Sequence, residues 1–184
     1  AASDVYKRQG NNKLYGNAGD DSVYGGAGAD TLEGGAGDDL LIALGGGAAD
    51  SLAGDSGYDT FWLDSNVTET VTDASASENA DGAIHRVAAF QNKVSKELTG
   101  AALADPALKK GSAKYRNFKS NPLFASGGPT IDDVRQGALG DCYFLAQIGS
   151  FAALDPTLIK QSIAELGDGT YAVQFIKGGN KLFY

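Results

Sequence analysis

The sequence predicts a mixed α and β fold: a parallel β-roll in the first third of the chain, then a linker, then a helical lobe. Three observations carry this reading. A nine-residue unit with fixed glycine and aspartate positions recurs from Gly16. Residues 65–82 are rich in Ser, Thr, Ala and Asp. An apolar helical pattern follows the single cysteine, Cys142. At 184 residues the chain has room for one or two small domains. Its net charge of −8 argues against a nucleic-acid partner, because phosphate binding needs clustered Lys and Arg. No apolar run approaches the roughly 18 residues needed to span a bilayer as a helix. No basic-then-apolar signal peptide opens the chain.

The ends read as a fragment of a longer protein. Asp4 to Gln9, DVYKRQ, resembles a translated library adapter, so residues 1–9 are set apart as a scar. The chain contains no Met, and it stops at Lys181-Leu182-Phe183-Tyr184, inside an expected strand.

From Gly16 the repeats run GNAGDDSVY, GGAGADTLE and GGAGDDLLI. Ala43 and Leu44 interrupt, and GGGAADSLA and GDSGYDTFW follow. A partial unit, GNNKLY, precedes the series. The acidic position holds Asn12, Asp21, Asp30, Asp39, Asp50 and Asp59. Two residues on, the apolar position holds Leu14, Val23, Leu32, Leu41, Leu52 and Phe61. Glycines let the chain turn sharply and aim carbonyls inward. Aspartate adds a hard carboxylate oxygen, and calcium takes six to eight such oxygens. The following short strand places its apolar side chain between stacked turns. One unit cannot bury its own face, so units must stack, two to each circuit. Asn12, Asp30 and Asp50 are therefore expected on one side of the roll, and Asp21, Asp39 and Asp59 on the other. Asn12 is neutral, and the fourth full unit has Ala48 at a turn-glycine position, so the best sites are expected at Asp21, Asp30 and Asp39.

Residues 10–64 resemble the RTX, or haemolysin-type, calcium-binding repeat. The resemblance implies a Ca2+-folded β-roll that stays disordered without the ion. It also implies an exported bacterial protein that folds outside the cell.

Phe61-Trp62-Leu63 is expected to cap the last turn of this roll. Residues 65–120 are expected to form a linker, with a helix near 84–98 set by Val87, Phe90, Val94 and Leu98. His85 reads as a surface or helix-start residue.

Residues 136–146 read QGALGDCYFLA. A lone thiol in this setting is a candidate nucleophile rather than a disulfide partner. Asp141 is a good N-cap residue and places Cys142 in the first turn of a helix, where the thiolate is favoured. Gln136 is positioned to donate to an oxyanion beside the thiol. Tyr143, Phe144, Leu145, Ile148, Phe151 and Ala152 give the helix an apolar face, and Asp155-Pro156 ends it. A short helix over Thr157 to Glu165, a turn at Gly167-Asp168-Gly169 and a hairpin around Gly178-Gly179-Asn180 complete the expectation.

Residues 121–184 resemble the start of a calpain-type cysteine protease domain, the papain-like peptidase family C2. The QGALGDC run followed by an aromatic residue carries the resemblance, with Tyr143 where tryptophan is commoner. It implies that Cys142 is the nucleophile, that Gln136 belongs to the oxyanion hole, and that the substrate is a protein or peptide. Gly128, through its carbonyl, and Asp133 match a second calcium site of that family. The helical lobe is then the first lobe of such a domain. Papain-like enzymes take their His and Asn roughly 130–150 residues past the cysteine, so both are expected beyond Tyr184. The alternative is a calcium-binding adhesion or matrix module whose protease-like segment is catalytically dead.

Overall fold

The computed structural model describes residues 4–6, 9–90, 128–133, 142–166 and 170–184. The glycine–aspartate repeats wind into a roll of two parallel sheets. One contains β1 (Asp4–Tyr6), β3 (Ser22–Tyr24), β5 (Leu40–Ala43), β7 (Thr60–Asp64) and β9 (Ile84–Val87), in that spatial order. The other contains β2 (Lys13–Ala18), β4 (Thr31–Ala36), β6 (Ser51–Ser56) and β8 (Thr70–Val71). Every pairing is parallel and in register from rung to rung. Leu14, Leu32, Leu52 and Val71 are successive partners in one sheet; Val5, Val23, Leu41, Phe61 and Ile84 are successive partners in the other. β1 lies within the stretch that the sequence set apart as a scar, and it pairs as the first rung of its sheet.

Between the sheets lies the interior column Leu14, Val23, Leu32, Leu41, Ala43, Leu52, Phe61 and Leu63. All but Ala43 and Leu63 are the repeat's apolar positions, and period-two alternation along the strands buries the whole column on one face. The turns need glycine for two reasons. Gly35 (φ 110°) and Gly57 (φ 145°) adopt backbone geometry that side chains disfavour, and a Cβ on either would overlap the carbonyl of Asn17 or Gly37 one rung away.

Beyond the fifth full unit, residues 65–90 of the expected linker are structured, and its remainder lies outside the described residues. β8 adds a rung, and α1 (Ala76–Asp81) closes the roll with a capping box in which Ser75 and Glu78 satisfy each other's backbone N–H. Residues 84–87 form strand β9 rather than the expected helix. The exposed edge of β7 offers backbone partners along its length, and Ile84-His85-Arg86-Val87 alternates to suit. Phe61-Trp62-Leu63 consequently does not cap the roll. Phe61 and Leu63 face the interior, and Trp62 faces outward.

The expected helical lobe is also corrected. The described part of 121–184 is α2 (Cys142–Leu154) and α3 (Pro156–Gln161) with an antiparallel sheet of β10 (Ile163–Glu165), β11 (Tyr171–Lys177) and β12 (Asn180–Phe183), preceded by a 3-10 turn at Ile131–Asp133. With this sheet and the roll together, the protein is mostly β. α2 stops at Asp155, whose carboxylate caps α3 through Thr157 N–H with Pro156 in the first turn. α3 ends at Gln161, so strand β10 replaces the second half of the expected helix. β11 and β12 pair through Lys177 and Asn180 across Gly178-Gly179, both at positive φ, the two-residue turn that matches strand twist. On α2 Ala152 is buried, while Phe151 and Leu154 are exposed, which departs from the expected apolar face at Phe151.

Leu32 is completely buried in the interior column. Leu32→Ala should destabilise the calcium-loaded roll by about 2–5 kcal/mol in urea unfolding. Tyr15→Ala, at a half-exposed position on the outer surface, should cost far less.

Candidate functional site

The acidic positions form two rows, one at each turn of the roll. In the first, Asn12 N–H donates to Asp30 Oδ1 and Asp30 N–H to Asp50 Oδ1, both at 2.7 Å. In the second, Asp21 N–H donates to Asp39 Oδ1 at 2.7 Å and Asp39 N–H to Asp59 Oδ1 at 2.9 Å. Asp59 N–H then donates to Glu78 Oε1 at 2.7 Å. The rows are those the spacing predicts. Asp21, Asp30, Asp39 and Asp50 also lend their main-chain carbonyls to the next rung, as Asp39 does to Thr60 N–H at 2.8 Å.

This arrangement commits Oδ1 and leaves Oδ2. The Oδ2 atoms of Asp30, Asp39 and Asp50 are buried without a hydrogen-bond partner. Oxygens from neighbouring turns crowd the glycine cradles beside them. A methyl group on Gly16 would sit 2.5 Å from the Gly34 carbonyl and 2.8 Å from Asp21 Oδ2. One on Gly46 would sit 2.8 Å from the Gly26 carbonyl and 3.8 Å from Asp50 Oδ2. Burial pushes the carboxyls of Asp39, Asp50 and Asp59 up to about 6, with the carboxylates one rung away adding to the rise and the rung-to-rung N–H bonds opposing it. A buried row of like charges is costly unless a cation sits among them. Among the described residues no three His, Cys, Asp or Glu side chains converge as a cage. The donors are instead single carboxylate oxygens with main-chain carbonyls, a hard-oxygen set that fits calcium. Asp50 is as buried as its neighbours despite Ala48.

Two glutamates that sequence reasoning passed over add to this acid set. Glu78 ends the second row, and the Ser75-x-x-Glu78 pattern was its readable signal. Glu69 accepts from Asp64 N–H at 2.9 Å, and its other oxygen is buried without a partner. Burial first, then the Asp50 carboxylate, push its carboxyl up to about 8.

His85 is buried rather than at the surface. It lies on β9 beside Trp62, with ring centroids 4.7 Å apart, and Nδ1 donates to Gln174 Oε1 on β11 at 2.7 Å. Burial lowers its pKa to about 4, outweighing the Gln174 hydrogen bond, and the Lys181 charge adds to the lowering. Cys142 is the first residue of α2, the helix N-terminus that the sequence predicts for it. Gln136 and Asp141 lie outside the described residues. Gly128 is buried at φ 74°, with the Lys160 ammonium 3.6 Å from where its Cβ would stand, and Asp133 ends the 3-10 turn. No helix among the described residues is long and apolar enough to cross a membrane.

A stacked parallel roll with buried acid rows and carbonyl-lined turns fits a calcium-binding repeat protein, here with a thiol-bearing segment following it. Comparison with known proteins gives both parts a family. Residues 8–41 and 44–65 match the RTX calcium-binding nonapeptide repeat in four copies, and residues 108–182 match the calpain family of cysteine proteases. The chain thus carries RTX repeats, which bind calcium and are typical of secreted bacterial proteins, followed by a calpain-family segment. It is 40% identical over 65 residues to calpain-8 of Mus musculus and 41% identical over 64 residues to the calpain-2 catalytic subunit of Bos taurus. These stretches cover 33% and 32% of this chain but 9% of each relative. No solved structure matches the chain.

Asp39→Asn preserves the shape and the Oδ1 acceptor but removes the charge. It should raise the calcium concentration needed to fold the roll, read by circular dichroism, whereas Asp132→Asn, exposed and outside the roll, should not. His85 supplies a separate pH signature. Its folded-state pKa lies below the unfolded value of 6.5, so the unfolded chain binds more protons between about 6.5 and 4 and stability falls as pH drops through that window. At saturating calcium, His85→Gln should remove most of that slope in denaturation measured from pH 7 to 5. An unchanged slope would assign the acid sensitivity to other groups.

Proposed function

We propose that the chain is part of a secreted bacterial calcium-dependent cysteine endopeptidase acting on protein or peptide substrates. The observation that carries this reading is the calpain-family match over 108–182, with Cys142 of the QGALGDC motif opening α2. The RTX match supports export and folding outside the cell.

In the proposed mechanism the Cys142 thiolate attacks the scissile carbonyl carbon, and the carbonyl π pair moves to oxygen. The Gln136 side-chain amide and a backbone N–H near Cys142 hold that oxyanion. The C–N bond breaks, the amine leaves with a proton from an imidazolium, and a thioester remains. Water, deprotonated by the same imidazole, releases the acid and restores the thiolate. The base is a histidine other than His85, which is engaged with Gln174 and packed against Trp62. Calcium, when bound in the turns, neutralises the buried acid rows and ties adjacent turns together. Asp21, Asp30, Asp39, Asp50 and Asp59 would hold it with the turn carbonyls, and Asn12, at the start of the first row, would be a neutral ligand.

The helix N-terminus should make Cys142 acidic. Its alkylation by iodoacetamide should show an inflection below the roughly 8.5 of a free thiol. An inflection at or above that value would overturn its role as an activated nucleophile. In a longer protein that cleaves peptide substrates, Cys142→Ala should abolish turnover, and Gln136→Ala should lower kcat by about 10²–10³. The 184-residue chain by itself should show no Cys142-dependent cleavage.

A further inference from the structure

The roll has a second apolar face that the repeat does not require. On the sheet containing β5 and β7, the outward-facing positions Tyr24, Ile42, Trp62 and His85 are successive register partners. All four are buried, Ile42 and Trp62 almost completely. The corresponding outward row on the other sheet is Tyr15, Glu33 and Ala53, none of them buried, with Tyr15 about half exposed. The difference is the cover. Ala164, Leu166, Ala172 and Phe183, from β10–β12 and the residue after β10, form one hydrophobic cluster with Tyr24, Ile42, Leu44, Trp62, Val87 and Phe90. Leu44, one of the two residues that interrupt the repeats, supplies part of this surface.

Polar contacts fix the alignment. Trp62 Nε1 donates to the Gln161 carbonyl at 3.3 Å, His85 Nδ1 to Gln174 Oε1 at 2.7 Å, and Lys181 Nζ to the Gly82 carbonyl at 3.4 Å. The Phe183 ring meets Trp62 edge-on, with centroids 5.6 Å apart. Three of the residues beneath follow an acid of the second row in sequence: Asp21 precedes Tyr24, Asp39 precedes Ile42 and Asp59 precedes Trp62, always at three residues' distance. The turns that stack the acids therefore set the spacing of the rungs that build the docking face. The sheet and the residue after β10 bury Ala164, Leu166, Ala172 and Phe183 in the same cluster as the roll's outer face, and a small sheet is stable only while its hydrophobic face is covered.

We propose that calcium loading of the RTX roll controls the folding of the calpain-family segment, by assembling the outer face on which β10–β12 dock. The coupling rests on the peptidase reading only for its consequence, which is that calcium held in the repeats governs a protease domain it does not touch. Because coupling free energies are reciprocal, a docked β10–β12 sheet must in turn tighten calcium binding by the roll.

Hydrogen exchange of the full 184-residue chain, titrated with calcium chloride against EDTA, tests this, with the emission of the single tryptophan, Trp62, as a second probe. In EDTA the amides of 163–166 and 171–183 should exchange rapidly. With calcium they should become protected at the same midpoint as β4, and Trp62 emission should shift to the blue. Asp39→Asn should move both midpoints upward together. Phe183→Ala should leave calcium-induced protection in β4 and β6 but abolish it in β11, and should raise the midpoint of the roll by roughly five-fold or more. Protection of β11 that survives chelation overturns the proposal, as does its absence at saturating calcium. A β4 midpoint unmoved by Phe183→Ala also overturns it. The Cys142 alkylation profile reads the peptidase assignment separately, so an inert thiol beside calcium-coupled exchange would refute the function and leave the coupling standing.

Discussion

Everything in the roll depends on how each aspartate divides its atoms between rungs. Asp39 gives its N–H to Asp59, takes the N–H of Asp21 on Oδ1, and lends its carbonyl to Thr60. That leaves Oδ2, a charged oxygen buried with no protein donor in reach. The same geometry that stacks the rungs leaves a buried, unpartnered Oδ2 on Asp30, Asp39 and Asp50, and buried charge of this kind is costly without a counter-ion. Structure and cation requirement are one constraint. The glycines follow from it, since a Cβ at Gly16 or Gly46 would occupy the space where carboxylate and carbonyl oxygens close in. The interior leucines follow as well, because the strands are held in register only while the turns stack.

The roll was legible in the sequence to the extent that the repeat was strict. Fixed spacing of Asp21, Asp30 and Asp39 gave the two rows, and the residue two positions on gave the interior column. Legibility failed where the pattern changed from local to tertiary. Val87 and Phe90 carry helical spacing with Val94 and Leu98, but 84–87 is drawn into a strand by the open edge of β7, a partner distant in sequence. Residues 65–82 look like a polar linker because β8 contributes only two residues and α1 is held by a capping box rather than by an apolar stripe. Ser75 and Glu78 nonetheless stood three apart, so that signal was available.

His85 and Trp62 illustrate the other kind of failure. Nothing in a nonapeptide unit distinguishes an outward residue that meets water from one that meets a sheet about a hundred residues later in the chain. Trp62 looked like part of a cap because Phe61-Trp62-Leu63 is an apolar cluster at the end of the repeats, and His85 looked like a surface or helix-start group because it opens a segment with helical spacing. Both are explained only by β10–β12. At the thiol, the motif supplied residue identities and the helix start at Cys142, while the helical lobe expected around it turned out to share its length with an antiparallel sheet.

The capping box at Glu78 gives the stack a direction. Within the second row each N–H is accepted by the acid of the following rung, and the last of these acceptors is Glu78, itself fixed by the start of α1. The two ends therefore fail differently. Removing a rung at the early end frees a carboxylate oxygen, which water or a cation can take up. Removing Glu78 strands the buried Asp59 N–H, a donor for which neither a cation nor a neighbouring donor is a substitute. At its last rung the second row thus depends on a single side chain.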